Sequence, residues 1–364
     1  MTEQALRDLA EQIKSWGRAL GFQQVGITDT DLSEAEAHLQ AWLAQGFHGD
    51  MQYMHQHGLK RSRPNLLHEG TLRIISVRLD YYPEAQRTTQ QVLAEPTAAF
   101  ISRYALGRDY HKLMRKRLQK LIERITEALP LAYQQDVSMR CWVDSAPVLE
   151  KAIAQKAGLG WLGKHSNVIN RQAGSWFFLG EIYVNLPLPI DSPATPHCGE
   201  CSACITICPT QAIVAPYQVD ARRCVSYLTI ELQGAIPEPL RPLIGNRIYG
   251  CDDCQLICPW NRFAKLTAEA DFKPRHQLDA QHLLTVFSWD EAKFLAATEG
   301  SAIRRIGYQR WLRNCAVALG NAPYSVEIIS QLTARLAHPS ALVQEHVHWA
   351  LKQQYAKLNA AETL

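Results

Sequence analysis

The 364-residue chain has no run approaching the roughly 18 uncharged apolar residues of a membrane span, which excludes an integral membrane helix. Its first ten residues, MTEQALRDLA, lack the basic start and apolar core of a secretory signal, so a cytoplasmic location is expected. Neither sign of charge dominates. With 38 basic and 35 acidic side chains the net charge is +3, too small to announce a nucleic-acid partner except through local clustering. Charged residues are only 20% of the chain and apolar ones 47%, proportions that exclude disorder and coiled coil as the main state. Cysteine is what the sequence does have: there are ten, and eight of them lie between Cys198 and Cys258. In a reducing compartment such clustering points to metal rather than disulfides.

Residues 1–190 alternate helical and strand patterns and read as an α/β domain around a central sheet. Strands are expected at 24–28, 74–82, 139–143 (a buried one) and 175–185. Helices are expected at 32–45, at 147–157 with Pro147 in the first turn, and at 109–129, a long basic amphipathic segment. The Pro-rich stretch 187–196 reads as a linker into a cysteine domain, 191–270. From about 280 to 364 the pattern is all-α. Ala318-Leu319 and Ala350-Leu351 recur in matching places, which suggests HEAT-like repeats, although a plain bundle fits equally well.

Cys198-x2-Cys201-x2-Cys204-x3-Cys208-Pro209 matches the bacterial ferredoxin run, in which the fourth cysteine ligates the other cluster. Cys224 followed by Cys251-x2-Cys254-x3-Cys258-Pro259 is the same run with an insertion. The crossed rule gives one 4Fe-4S cluster to Cys198, Cys201, Cys204 and Cys258, and the second to Cys208, Cys224, Cys251 and Cys254. Paired zinc sites would need neither the fourth thiolate three residues on nor the following proline. Cys141 and Cys315 sit in apolar runs and read as small buried hydrophobes. Gly158-x-Gly160-x-x-Gly163, with Glu181 downstream, has the form of a dinucleotide fingerprint. It follows a helix and precedes an extended stretch, so a helix stop and tight turn is expected there.

The segments Val143-Asp-Ser-Ala-Pro-Val-Leu-Glu-Lys151, Ala157-Gly-Leu-Gly-Trp-Leu-Gly-Lys164, Gly174-Ser175 to Glu181, both cysteine runs and Gly245-Asn-Arg-Ile-Tyr-Gly-Cys-Asp252 together resemble the epoxyqueuosine reductase family, over nearly the whole chain. The resemblance implies a cobalamin-binding α/β domain, two 4Fe-4S clusters, and reduction of epoxyqueuosine to queuosine in tRNA. No D-x-H-x-x-G motif is present to place a histidine on cobalt, so the corrinoid is implied without one. Removing an epoxide oxygen as water consumes two electrons and two protons, and a general acid must protonate the leaving oxygen. Asp144 is the residue expected to do so. Its position between a strand and a Pro-initiated helix fits a helix cap as well. To act near neutral pH it would need a raised pKa, which burial beside a corrin could supply.

By the same resemblance Arg61, Ser102, Asp144, Val168, Asn170, Leu179, Ser226, Asp252 and Asp253 are expected to contact the corrin. Tyr104, Asp109, Tyr110 and His111 form a polar-aromatic group, and a helix N-terminus explains Asp109 equally well. In residues 301–364, seven Lys or Arg against three Glu give a net +4, and Arg304, Arg305, Arg310 and Arg313 are expected to line one helix side and follow tRNA phosphates. The expected partners are tRNA carrying epoxyqueuosine and an electron donor, with the chain acting as a monomer. The competing readings are a reductive dehalogenase-like corrinoid enzyme on a small molecule and a non-enzymatic electron-transfer or tRNA-binding protein; an adaptor should purify without a corrinoid.

Overall fold

The computed structural model describes residues 1–362; the last two residues of the expected 280–364 tail lie outside the described residues. Strand β1 (Gln24–Thr28) forms as the pattern predicts, followed by β2 (Arg73–Asp80), β3 (Met139–Val143) and β4 (Phe177–Val184). They make one sheet in the order β1-β2-β4-β3, and every pairing is antiparallel. Central β4, FFLGEIYV, is buried at every position, which is why it reads as a continuous apolar run rather than an alternation. β3 lies on the edge, and only its last residue, Val143, is buried. The expectation of a buried strand therefore holds only at that end. Because the sheet is antiparallel, the rule placing sites at the carboxyl ends of parallel strands does not apply. The functional end is instead where β2 and β3 finish and β4 begins: Asp80 pairs with Phe177, and Val143 with Gly180.

Helices α1 (Glu3–Ala19), α3 (Tyr110–Ala128) and α4 (Glu150–Lys156) pack on the sheet, whereas α2 (Ser33–Ala44) sets Trp42 against the cysteine segment, its indole N–H donating to the Val219 carbonyl at 2.7 Å. Asp109 caps α3 by accepting from the His111 amide. The α3 side chains Met114, Leu118, Leu121 and Ile125 recur at three- and four-residue steps and are wholly enclosed. Gly180 of β4 permits their approach, since a Cβ there would lie 2.8 Å from the Met114 methyl and 3.0 Å from a Leu118 methyl. Helix α4 starts three residues after Pro147, behind a loop of residues 144–149, and its N-cap position is Leu149. Asp144 is therefore not its cap. Gly158, at φ +76°, ends the helix, and Trp161–Leu162 then pairs with Val168–Ile169, so the glycine motif is a helix stop and turn.

The Pro-rich segment is not a free linker. Its Asp191 carboxylate accepts from the Ile27 amide (2.8 Å) and Lys14 (2.7 Å), the Asp191 amide donates to the Ile27 carbonyl, and Leu188 is fully buried. It straps the edge of β1. In the tail, α5 (Gly307–Asn321), α6 (Val326–Thr333) and α7 (Ala341–Glu362) pack together, with Gln354 holding the Leu319 and Ala322 carbonyls at the end of α5. Residues 100–101 pair in parallel with 247–249, and one apolar core joins Ile101, Leu106, Val225, Ile248, Trp311 and Val347. The sheet region, the cysteine segment and the tail thus meet across shared packing.

Candidate active site

At the functional end of the sheet lies a cavity of about 930 Å³, at the upper end of the range for cofactor-sized sites. Its walls come from the ends of β2 and β4, the N-termini of α3 and α4, the cysteine segment, and residues 301–305. Cys208, Cys224, Cys251 and Cys254 line it, whereas Cys198, Cys201, Cys204 and Cys258 do not. Burial, and then the neighbouring thiols of Cys258, Cys198 and Cys201, push the Cys204 thiol up. Burial and then Cys198 and Cys201 raise Cys258. Cys258, far off in sequence, therefore sits with the first run. Cys254 is raised well above the ordinary thiol value by burial, with Cys224 its strongest neighbour and Cys208 and Cys204 also acting on it, so the two groups adjoin. Among the described residues no three His, Cys, Asp or Glu side chains converge tightly enough for a single metal ion. Cys315 is fully buried as expected, and Cys141, on the edge strand, is half-buried.

Asp144 opens the loop after β3 and faces the cavity. The Tyr110 hydroxyl donates to its Oδ2, and His111 Nε2 lies 3.7 Å from the same oxygen. Asp109 accepts from His111 Nδ1 at 2.5 Å, which fixes the ring proton on that nitrogen and leaves Nε2 turned toward Asp144. Burial, and next the charge of Asp144, hold the Tyr110 phenol well above its usual pKa, so it remains a donor. Tyr110 is itself fixed by stacking on Phe178 at 3.7 Å between ring centroids. The polar-aromatic group read from the sequence is thus both a helix start and part of the site. Burial of Asp144 by the chain is not observed: its side chain is 47% exposed.

Two carboxyls behind Asp144 were not recognised from the sequence. Glu181 on β4 lies opposite Ser76 of β2 and Trp142 of β3, is fully buried, and has no hydrogen-bond partner for either oxygen. Glu150, at the start of α4, lines the cavity with its Oε2 enclosed and equally unpartnered. Burial first and the Asp144 charge second push Glu150 up to about 8; Lys151 and Arg61 pull the other way. Burial and then Glu150 raise Glu181 well above the carboxylate range. Burial thus favours the uncharged acid at both positions. The signal available was a lone acid inside the continuous apolar run of β4. Because the folded pKa values lie above the unfolded ones, the folded state binds more protons and loses stability as pH rises from about 4.5 toward 8. Thermal melting between pH 5 and 8 should show this decline, and Glu181→Gln should flatten it and raise the melting temperature at pH 8. An unchanged slope in the variant would show that Glu181 is ionised in the fold.

Of the residues expected to contact a corrin, Arg61, Ser102, Asp144, Val168, Leu179, Ser226, Asp252 and Asp253 line the cavity. Asn170 does not: its amide donates to the Leu159 carbonyl (2.6 Å) and Gln24 (2.9 Å), holding a turn. Asp252 accepts from Ser102 (2.5 Å) and the Arg103 amide (2.9 Å), and Asp253 is paired with Arg247. Arg61 gives one nitrogen to the Tyr53 carbonyl but keeps an enclosed, unpartnered Nε.

The four tail arginines do not form one solvated face. Arg313 is fully buried and donates to the Leu228, Leu232 and Gly234 carbonyls, bracing the cysteine segment against α5. Arg310 donates to the Ile230, Arg305 and Ile306 carbonyls, and Arg305 pairs with Glu231 at the cavity. Arg304 and Arg305 lie in the turn before α5, so only that pair is exposed. The helical spacing was right for Arg310 and Arg313, but tertiary packing spends them on carbonyls.

A family model described as "4Fe-4S double cluster binding domain" matches residues 197–261, and one described as "Epoxyqueuosine reductase QueG, DUF1730" matches residues 61–145. The epoxyqueuosine reductase of Pseudomonas aeruginosa is 60% identical over 365 aligned positions, covering 97% of this chain and 99% of that one. That of Escherichia coli is 60% identical over 356, covering 98% and 92%. A crystal structure of epoxyqueuosine reductase with a tRNA-Tyr epoxyqueuosine-modified stem loop superposes with a TM-score of 0.86 at 25% identity, covering 97% of this chain and 93% of that one. The Streptococcus thermophilus enzyme does so with a TM-score of 0.85 at 26% identity, covering 98% and 94%. At this identity over this length, the chain belongs to the epoxyqueuosine reductase family.

Proposed function

We propose that this chain reduces the epoxide of epoxyqueuosine in tRNA to the alkene of queuosine, releasing the oxygen as water with two electrons and two protons. The observation that carries the reading is the single cavity shared by Asp144, with its Tyr110–His111–Asp109 support, and the four thiols Cys208, Cys224, Cys251 and Cys254. Asp144 donates the proton to the leaving oxygen, and Tyr110 and His111 fix its orientation. Eight thiols in two groups fit two 4Fe-4S clusters in the crossed ligand sets, which supply electrons one at a time. The cavity's size and the enclosed, unpartnered Arg61 Nε support a corrinoid held by Arg61, Ser102, Val168, Leu179, Ser226, Asp252 and Asp253. Such a group supplies a reduced metal centre able to attack carbon. The chain's own task is to orient the nucleoside, exclude water and deliver the proton. The paired helices of the tail support the HEAT-like reading as packing scaffold. A cytoplasmic monomer served by a separate electron donor completes the proposal; among the described residues no helix is long and apolar enough to cross a membrane.

Deleting the gene should leave epoxyqueuosine in cellular tRNA, and restoring it should return queuosine, both read by nucleoside mass spectrometry. Queuosine persisting in the deletion strain, with no second enzyme of this kind, would defeat the proposal. Anaerobically purified protein should carry iron and sulfide for two clusters. Stoichiometric zinc, or iron for one cluster only, would overturn the ligand assignment.

A further inference from the structure

The long basic helix picked out by the sequence gives Tyr110 and His111 to the site, but its row of basic side chains finds no role in the chemistry just described. Helix α3 holds Lys112, Arg115, Lys116, Arg117, Lys120 and Arg124 against Glu123 and Glu127, a net +4 by count, while the whole chain is only +3. Arg117 is tied to Glu269 beneath the helix, but Lys112, Arg115, Lys116, Lys120 and Arg124 are exposed and, among the described residues, none is ion-paired. Lys112, Lys116, Lys120 and Arg124 follow one another at four-residue steps and so form one stripe, about 18 Å long at 1.5 Å per residue. The stripe starts at the cavity mouth: Tyr110 and His111 line the cavity, and Arg115 donates to Ser145, the neighbour of Asp144, at 2.8 Å.

The tail, with the same count of +4, makes the contrast. There Arg310, Arg313, Arg335 and Lys357 are consumed by main-chain carbonyls. Holding four solvated cations in a row, none of them ion-paired among the described residues, costs repulsion that a neighbouring polyanion removes.

We propose that the exposed stripe Lys112–Lys116–Lys120–Arg124 of α3, not the tail arginines, is the track for the tRNA phosphates flanking the modified nucleotide when its base enters the cavity. The proposal rests on the tRNA reading above and adds where the backbone lies. Phosphate contacts of this sort position the RNA and leave base recognition to the cavity. An acidic electron-carrier protein is the other polyanion to consider. Its natural approach is at the first thiol group, where Cys201 is exposed, whereas α3 opens onto the cavity.

The test uses the full-length protein with both clusters and a fluorescein-labelled anticodon stem-loop RNA carrying epoxyqueuosine. The quadruple variant Lys112→Gln, Lys116→Gln, Lys120→Gln and Arg124→Gln should bind at least about tenfold more weakly at 100 mM salt, and its log-affinity against log-salt slope should be shallower by about 3. KM for the RNA should rise while kcat at saturating RNA and iron content stay at the parent values. A companion with Lys112→Arg, Lys116→Arg and Lys120→Arg should behave like the parent. Equal affinity and slope in parent and quadruple variant would overturn the α3 track. Unchanged RNA binding with slower reduction by an acidic carrier protein would also overturn it, by making the stripe a protein-docking face. Failure of the parent itself to bind the RNA would instead count against the tRNA reading.

Discussion

Asp144→Asn is expected to lower the rate of epoxide reduction by about 10²–10⁴-fold while leaving both clusters and the fold intact. Asn is almost the same size and can still accept from the Tyr110 hydroxyl through its carbonyl oxygen. It has no acidic proton to give to the departing oxygen. Stability should change little, because Asp144 is half-exposed in the loop and does not cap α4. Tyr110→Phe should cost much less in rate, since it removes a support and leaves the acid in place. The measurement is a single-turnover rate with enzyme reduced beforehand, so that electron delivery cannot limit it. If the Asn variant keeps the parent rate under those conditions, the proton comes from another group, and Glu150 on the same cavity wall becomes the first to examine.

Features set by local spacing are legible in the amino-acid sequence itself. The start of α3 at its Asp109 cap and strand β1 each follow from a few neighbouring residues. Long-range pairing hides the rest. Whether Glu181 is solvated depends on its being on the central strand between β2 and β3, and nothing within the segment FFLGEIYV says which strands flank it. Whether a basic helix binds phosphates or its own protein is equally invisible in the spacing. Lys116 and Arg313 both sit on helices beside apolar residues, yet one is in water and the other lies wholly inside, bonded to three carbonyls. The loop before α4 is a subtler case. Pro147 can start a helix, but the chain first turns to point Asp144 at the cavity.

Cys208→Ser is expected to abolish turnover with any reductant and to lower iron from about eight to about four atoms per chain. In sequence Cys208 ends the first run, Cys198 to Cys208, so contiguous ligation would make it a partner of Cys198, Cys201 and Cys204. Its thiol faces the cavity with Cys224, Cys251 and Cys254 instead, and its sulfur accepts the Ala212 amide at 3.2 Å. Removing it should therefore damage the group that borders the reacting space. Cys198→Ser strikes the outer group, which does not touch the cavity and which reaches solvent through Cys201. That variant should also lose about half its iron, but it should retain turnover when a small chemical reductant replaces the protein donor, because the cavity-facing thiols are untouched. The two substitutions are equal in chemistry and differ only in which side of the molecule they strip. If Cys208→Ser instead behaves like Cys198→Ser, both keeping turnover with a small reductant, the two cysteines hold the same cluster, the ligands are contiguous along the chain and the crossed assignment is wrong.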